Sequence, residues 1–196
     1  MQSSQPALFS CVKLLALALC LASLPASLTA ETTEKLMDFT KEKEIKMEIV
    51  DDGVMGGRSQ GKVKRSESGS LLFRGRLSLE NNGGFSSLRI DTGTWDLAAW
   101  TGLELKVKGD GRTYNLRLTT DARHRNDAVS FQAGFPTTEG EWTVVRVPFS
   151  KLKASWRGNK LDTKFDAAEI EEVGVILADK KPGDFALEIE SISSFK

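Results

Sequence analysis

The chain has 196 residues, 27 Lys+Arg against 27 Asp+Glu, 40% hydrophobic residues, one histidine and two cysteines. Opposite charges are interspersed without long blocks, which argues against nucleic acid or an anionic membrane as the main partner. Both cysteines, Cys11 and Cys20, lie in the first thirty residues. The rest of the chain therefore has neither a disulfide nor a cysteine metal site, and one histidine speaks against zinc.

Lys13 is the only charged side chain before Glu31, and Val12 to Leu24 is an almost unbroken apolar run followed by small residues up to Ala30. Charged n-region, short h-region and small-residue cleavage zone spell a secretory signal, and the run falls short of the about 20 apolar residues a membrane span needs. Cleavage near Ala30 would give an exported protein, periplasmic or secreted, with no transmembrane segment. Residues 31–196 would then be one domain, large enough to bury about 70% of its unfolded surface without staples.

Residues 31–35 read as a polar leader and Leu36 to Phe39 as the start of the domain. Ile45, Met47 and Ile49 alternate with Glu44, Lys46 and Glu48, and period two marks a half-buried strand. It runs into Asp51-Asp52-Gly53-Val54-Met55-Gly56-Gly57, a tightly wound loop expected to tuck Val54 and Met55 inward. Gly61 to Glu67 predicts an edge strand defended by lysines and Arg65; residues 66–70 turn. Leu71 to Leu79 follows, with Leu71, Phe73, Leu77 and Leu79 expected on one face. A second glycine-rich loop, Asn81-Asn82-Gly83-Gly84-Phe85, leads into a strand ending at Asp91.

Asp91 to Ala99 is expected to be loop. Leu103, Leu105 and Val107, the turn Gly109-Asp110-Gly111, and Tyr114, Leu116 and Leu118 together predict a β-hairpin. Asp121 to Asp127 reads as a charged loop, and Phe131, Ala133 and Phe135 mark a strand. After the Pro136 to Gly140 turn come a strand at Trp142 to Val147, an irregular stretch from Ser150 to Ala168, and two closing strands through Val173–Leu177 and Phe185–Ile189. About ten short strands without a long 3.6-period stretch imply an all-β, mostly antiparallel sandwich.

The motif order Val50-Asp51-Asp52-Gly53-Val54-Met55-Gly56-Gly57 with Ser59, Gly83-Gly84-Phe85, and Val107-Lys108-Gly109-Asp110-Gly111-Arg112-Thr113-Tyr114 continues through Glu141-Trp142, Val147-Pro148-Phe149, Arg157-Gly158 and Asp184-Phe185. It resembles the complex I intermediate-associated protein 30 family across nearly all of residues 36–195. The resemblance implies a galactose-binding-like jelly-roll β-sandwich, an architecture shared with carbohydrate-binding modules. It also implies a non-enzymatic role with a protein partner, the namesake members being chaperones of complex I assembly inside mitochondria. Carbohydrate is the alternative ligand.

The candidate binding residues are Asp51, Asp52, Gly53, Met55, Gly56 and Gly57 in the first loop and Asn81, Asn82, Gly83, Gly84 and Phe85 in the second, together with Arg112 and Tyr114. Glycine suits backbone at positive φ or in close approach. The carboxylates either fix their own loop or offer oxygens to a ligand. No cofactor is expected, although these aspartates and asparagines would suit a structural calcium ion if their loops met. Tyr114 and Trp142 in strand register are more often core, whereas Trp95, Trp100 and Trp156 in loops suit either a sugar platform or a plug. Gly57-Arg58-Ser59-Gln60-Gly61 matches a serine-hydrolase pattern, but that chemistry needs a strand-to-helix turn and a strand is expected here. His124, flanked by arginines, is its one available base.

Overall fold

The computed structural model describes Met1, residues 32–42 and residues 44–196. The chain divides into two units, Met1–Ala30 and Glu31–Lys196. Apart from Met1 the described residues belong to the second, so the secretory signal read from residues 1–30 lies outside them.

Alternating side chains build two facing layers. The first sheet has six strands in the order β3 (Gln60–Arg65), β4 (Leu71–Leu77), β13 (Gly183–Phe195), β6 (Gly102–Lys108) and β9 (Trp142–Pro148), with β1 (Thr33–Asp38) also paired to β13. The second runs β11 (Asn159–Lys160), β10 (Lys153–Trp156), β8 (Asp127–Pro136), β7 (Thr113–His124), β12 (Ile170–Leu177), β5 (Ser86–Trp95) and β2 (Met47–Asp51). Every strand pair is antiparallel. Phe73, Leu105, Val107 and Leu187 of the first sheet and Leu88, Leu116, Leu118 and Val175 of the second are fully or almost fully buried between them. Each such side chain contributes about 1.5–3 kcal/mol.

β3 is an edge strand, as its lysines predict, and the 66–70 turn joins it to β4. The predicted hairpin around Gly109-Asp110-Gly111 does not form. β6 pairs with β13 and β9, whereas β7 pairs with β12 and β8, so this turn carries the chain from one sheet to the other. Local alternation is the same in both arrangements; what differs is long-range pairing, which favours β13 at the centre of the first sheet. Asp110 anchors the crossing. Its Oδ1 accepts from Arg112 N at 3.1 Å, and its Oδ2 from Tyr114 Oη at 3.0 Å and Ala186 N at 2.8 Å.

Other boundaries shift for related reasons. β1 begins at Thr33 because its backbone pairs with Ser193–Phe195, despite polar side chains. β5 extends to Trp95, where Ile170 lies opposite. The charged stretch around His124 is a hairpin tip, with Arg125 and Asn126 at φ 50° and 69° between β7 and β8. The stretch expected to be irregular holds β10 and β11, and Phe165 seals the sandwich against Phe131 and Phe149 at 5.1 and 5.2 Å. Leu79 lies beyond the end of β4 and is 40% exposed.

Candidate functional site

Asp51 closes β2, and its Oδ2 accepts from Gly61 N at 2.9 Å. The chain then turns through Asp52–Met55 in a short 3₁₀ helix ended by Gly56 at φ 88°. Asp52, 1% exposed, points between the two glycine-rich loops. Its Oδ1 accepts from Ser59 N at 2.8 Å; its Oδ2 accepts from Ser59 Oγ at 2.5 Å, Gly84 N at 2.6 Å and Phe85 N at 3.3 Å. Asn81, at φ 56°, donates Nδ2 to Gly56 O at 3.0 Å. The loops converge around this carboxylate.

Burial would raise the Asp52 pKa. The Ser59 hydroxyl and the Gly84, Ser59 and Phe85 amides outweigh that effect and hold it below the ordinary carboxylate range. Two glycines make the approach feasible. A Cβ on Gly57 would lie 2.4 Å from Asp52 Cγ, and one on Gly83 would lie 2.5 Å from Asp52 Oδ2. Asp52 is thus a structural clamp whose oxygens face N–H and O–H donors. Among the described residues no group of three or more His, Cys, Asp or Glu side chains could hold a metal ion.

The apolar pair between the glycines faces outward, contrary to the expected inward knuckle. Val54 is 76% exposed and Met55 63%, with Gly53 beside them in open space. Asp52 takes the interior position two residues earlier, and the tight turn carries Val54 and Met55 to the tip. Leu79, beside Gly84 of the second loop, is likewise exposed.

Arg112 and Tyr114 are held inside the fold. Arg112 Nε and Nη2 donate to Asp179 at 3.0 and 2.6 Å, Nη1 to Asp184 O at 3.0 Å, and Nη2 also to Lys181 O. Asp179 holds the guanidinium above its ordinary pKa. Tyr114 is fully buried, and burial followed by the Asp110 charge pushes its phenol up. Both residues brace the β6–β7 crossing and the turn before β13, so neither presents a free binding group.

Ser59 is 5% exposed; it donates to Asp52 and accepts from Ser78 N at 3.0 Å. It leads into β3, a strand, so the hydrolase pattern lacks its geometry. His124 packs against Trp156 at 4.9 Å. Trp95 and Trp100 pack against the core, and the Trp156 ring has the Arg125 and Arg157 guanidinium groups at 5.3 and 4.9 Å while its indole N–H donates to Asp127. Trp142, expected in the core, is 38% exposed under Lys108. On the outer face of the second sheet a recess of about 800 Å³ is lined by Lys46, Glu48, Arg89, Asp91, Arg117 and Glu172 among others, and by no aromatic ring.

Ser78 and Asp179 had no local signature as internal partners, because Ser59 and Arg112 lie 19 and 67 residues away; Asp110 bonds Arg112 and Tyr114 close by as well as the distant Ala186. Val54 and Leu79 were visible as apolar residues in glycine-rich surroundings, but exposure depends on which neighbour takes the interior.

The model of complex I intermediate-associated protein 30 matches residues 37–189. The chain belongs to that family. The mitochondrial complex I intermediate-associated protein 30 of Mus musculus is 31% identical over 167 residues, covering 75% of this chain and 51% of the relative. Its counterpart from Drosophila melanogaster is 27% identical over 161 residues, covering 69% and 53%. The chain spans about half the length of these curated relatives. Their names correct the expectation of an exported protein, since they are mitochondrial; an apolar N-terminal run with one charge does not by composition distinguish the two destinations. Among solved structures, the family 11 carbohydrate-binding module of Lic26A-Cel5E from Clostridium thermocellum superposes with a TM-score of 0.61 at 13% identity, covering 85% of this chain and 95% of that one. A family 30 carbohydrate-binding module gives 0.57 at 12% identity, covering 83% and 87%. These likenesses establish the galactose-binding-like jelly-roll architecture and carry no ligand with them.

Proposed function

We propose that this chain is a non-catalytic assembly module that grips a protein partner, an intermediate of complex I, through the Val54–Met55 tip. The observation that carries this reading is the combination of exposure and bracing. Two large apolar side chains are held in solvent by a loop whose base is fixed by Asp52. Exposed apolar groups on a pre-ordered support lose little conformational entropy on binding, and buried at an interface they become its anchors. Family membership supplies the class of partner.

The test uses the full chain carrying Val54→Ser and Met55→Ser, expressed in cells lacking the native protein. Native-gel fractionation should find the unaltered chain migrating with complex I intermediates and the double variant migrating alone, with equal thermal midpoints. Absence of the unaltered chain from those intermediates, or retention of the double variant, would overturn the proposal. The tryptophans that could have offered a sugar platform are packed against the core or occupied by arginines, so carbohydrate binding has no comparable support.

A further inference from the structure

The free edge of β9 points to a second copy of this chain. β9 is paired with β6 in unbroken register from Gly102↔Pro148 to Lys108↔Trp142, and no strand pairs with its other side among the described residues. Such an edge offers a row of backbone donors and acceptors to another strand. The other edges are defended. β3 carries Lys62, Lys64 and Arg65 in six residues, β1 carries Glu34, Lys35 and Asp38 in six, β2 carries Glu48 and Asp51 in five, and β11 has only two residues. β9 has seven residues, Trp-Thr-Val-Val-Arg-Val-Pro, with Arg146 its single charge. Its solvent face shows Trp142 at 38% and Val144 at 56% exposure, while Val147 is buried in the core.

We infer that two copies join antiparallel along β9, making one continuous sheet across a two-fold axis at Val144. The strand is self-complementary in that register. Val144 faces the partner's Val144, and Trp142 faces the partner's Arg146, whose guanidinium Glu104 holds in place at 2.8 Å. An isologous contact of this kind uses the β9 edge of both copies and closes on itself. A strand-to-strand contact buries less than the roughly 1,200 Å² of standard interfaces, so the dimer is weak and concentration-dependent. It leaves the Val54–Met55 tip on another part of the domain, and its test is independent of that site.

Sedimentation equilibrium of the full chain from about 1 µM to about 500 µM should show the mass rising toward the dimer. Val144→Lys places two ammonium groups face to face and should keep the chain monomeric across the range, with an unchanged unfolding midpoint because the side chain is exposed. Val144→Cys in a Cys11→Ser, Cys20→Ser background should oxidise to a disulfide-linked dimer, since residues opposite one another across an antiparallel pair lie within disulfide reach. Val54→Cys in the same background should not. A monomer at every concentration, a dimer untouched by Val144→Lys, or cross-linking at position 54 in preference to 144 would each overturn the inference.

Discussion

Asp52 Oδ2 lies 2.6 Å from Gly84 N and 2.5 Å from Ser59 Oγ, so one carboxylate ties its own loop to a residue 32 positions further along the chain. Removing it leaves buried donors without acceptors. Asp52→Ala should therefore lower unfolding free energy by about 3 kcal/mol, given the cost of losing charged hydrogen bonds and stranding their partners. Urea unfolding followed by tryptophan fluorescence measures this.

Acid should loosen the same contact. The folded pKa of Asp52 is depressed, so its stabilisation is complete above the unfolded value, about 3.9, and disappears as pH falls through the lower folded value. Glu188 adds to the effect. Burial opposes its ionisation, but Lys108 and the Ser70 and Ser66 hydroxyls hold it at about 2. Unfolding midpoints measured from pH 7 to pH 2 should be flat above about pH 5 and fall below pH 4, with the fall shallower in Asp52→Asn than in the unaltered chain.

The two loop glycines nearest this carboxylate are separable from Gly53. Gly57→Ala would drive a methyl group into Asp52 at 2.4 Å, whereas a Cβ on Gly53 meets nothing within 4 Å. The first substitution should destabilise by about 1–3 kcal/mol and the second by no more than about 0.5 kcal/mol, as read by thermal melts.

Arg112→Lys keeps a positive charge but not the two-pronged contact with Asp179 or the reach to the carbonyls of Lys181 and Asp184. The loss should be about 1–3 kcal/mol. Hydrogen exchange should accelerate first in residues 179–184, before the centre of β7 responds.

Period-two alternation revealed the strands because burial on one face is a local property of sequence. Lys62, Lys64 and Arg65 likewise announced β3 as an edge. Sheet membership was not legible: Leu105 and Leu116 alternate identically whether β6 and β7 form a hairpin or face each other across the core. The two glycine-rich loops stood out by composition, and their meeting at Asp52 depended on folding. The direction of Val54 and Met55 was misread because Asp52, a charged residue, takes the inward position once Ser59, Gly84 and Phe85 supply enough donors to offset its burial.

β13 occupies the middle of the first sheet, flanked by β4 and β1 on one side and β6 on the other. It is also the last of these strands in the chain. During translation, β4 and β6 must therefore wait at the ribosome with no bridging strand between them, exposing Phe73 and Leu105 until Phe195 has left the exit tunnel. Synthesis and closure of this layer are separate events, and a nascent chain stalled before residue 183 should be readily cut by protease where the released protein resists.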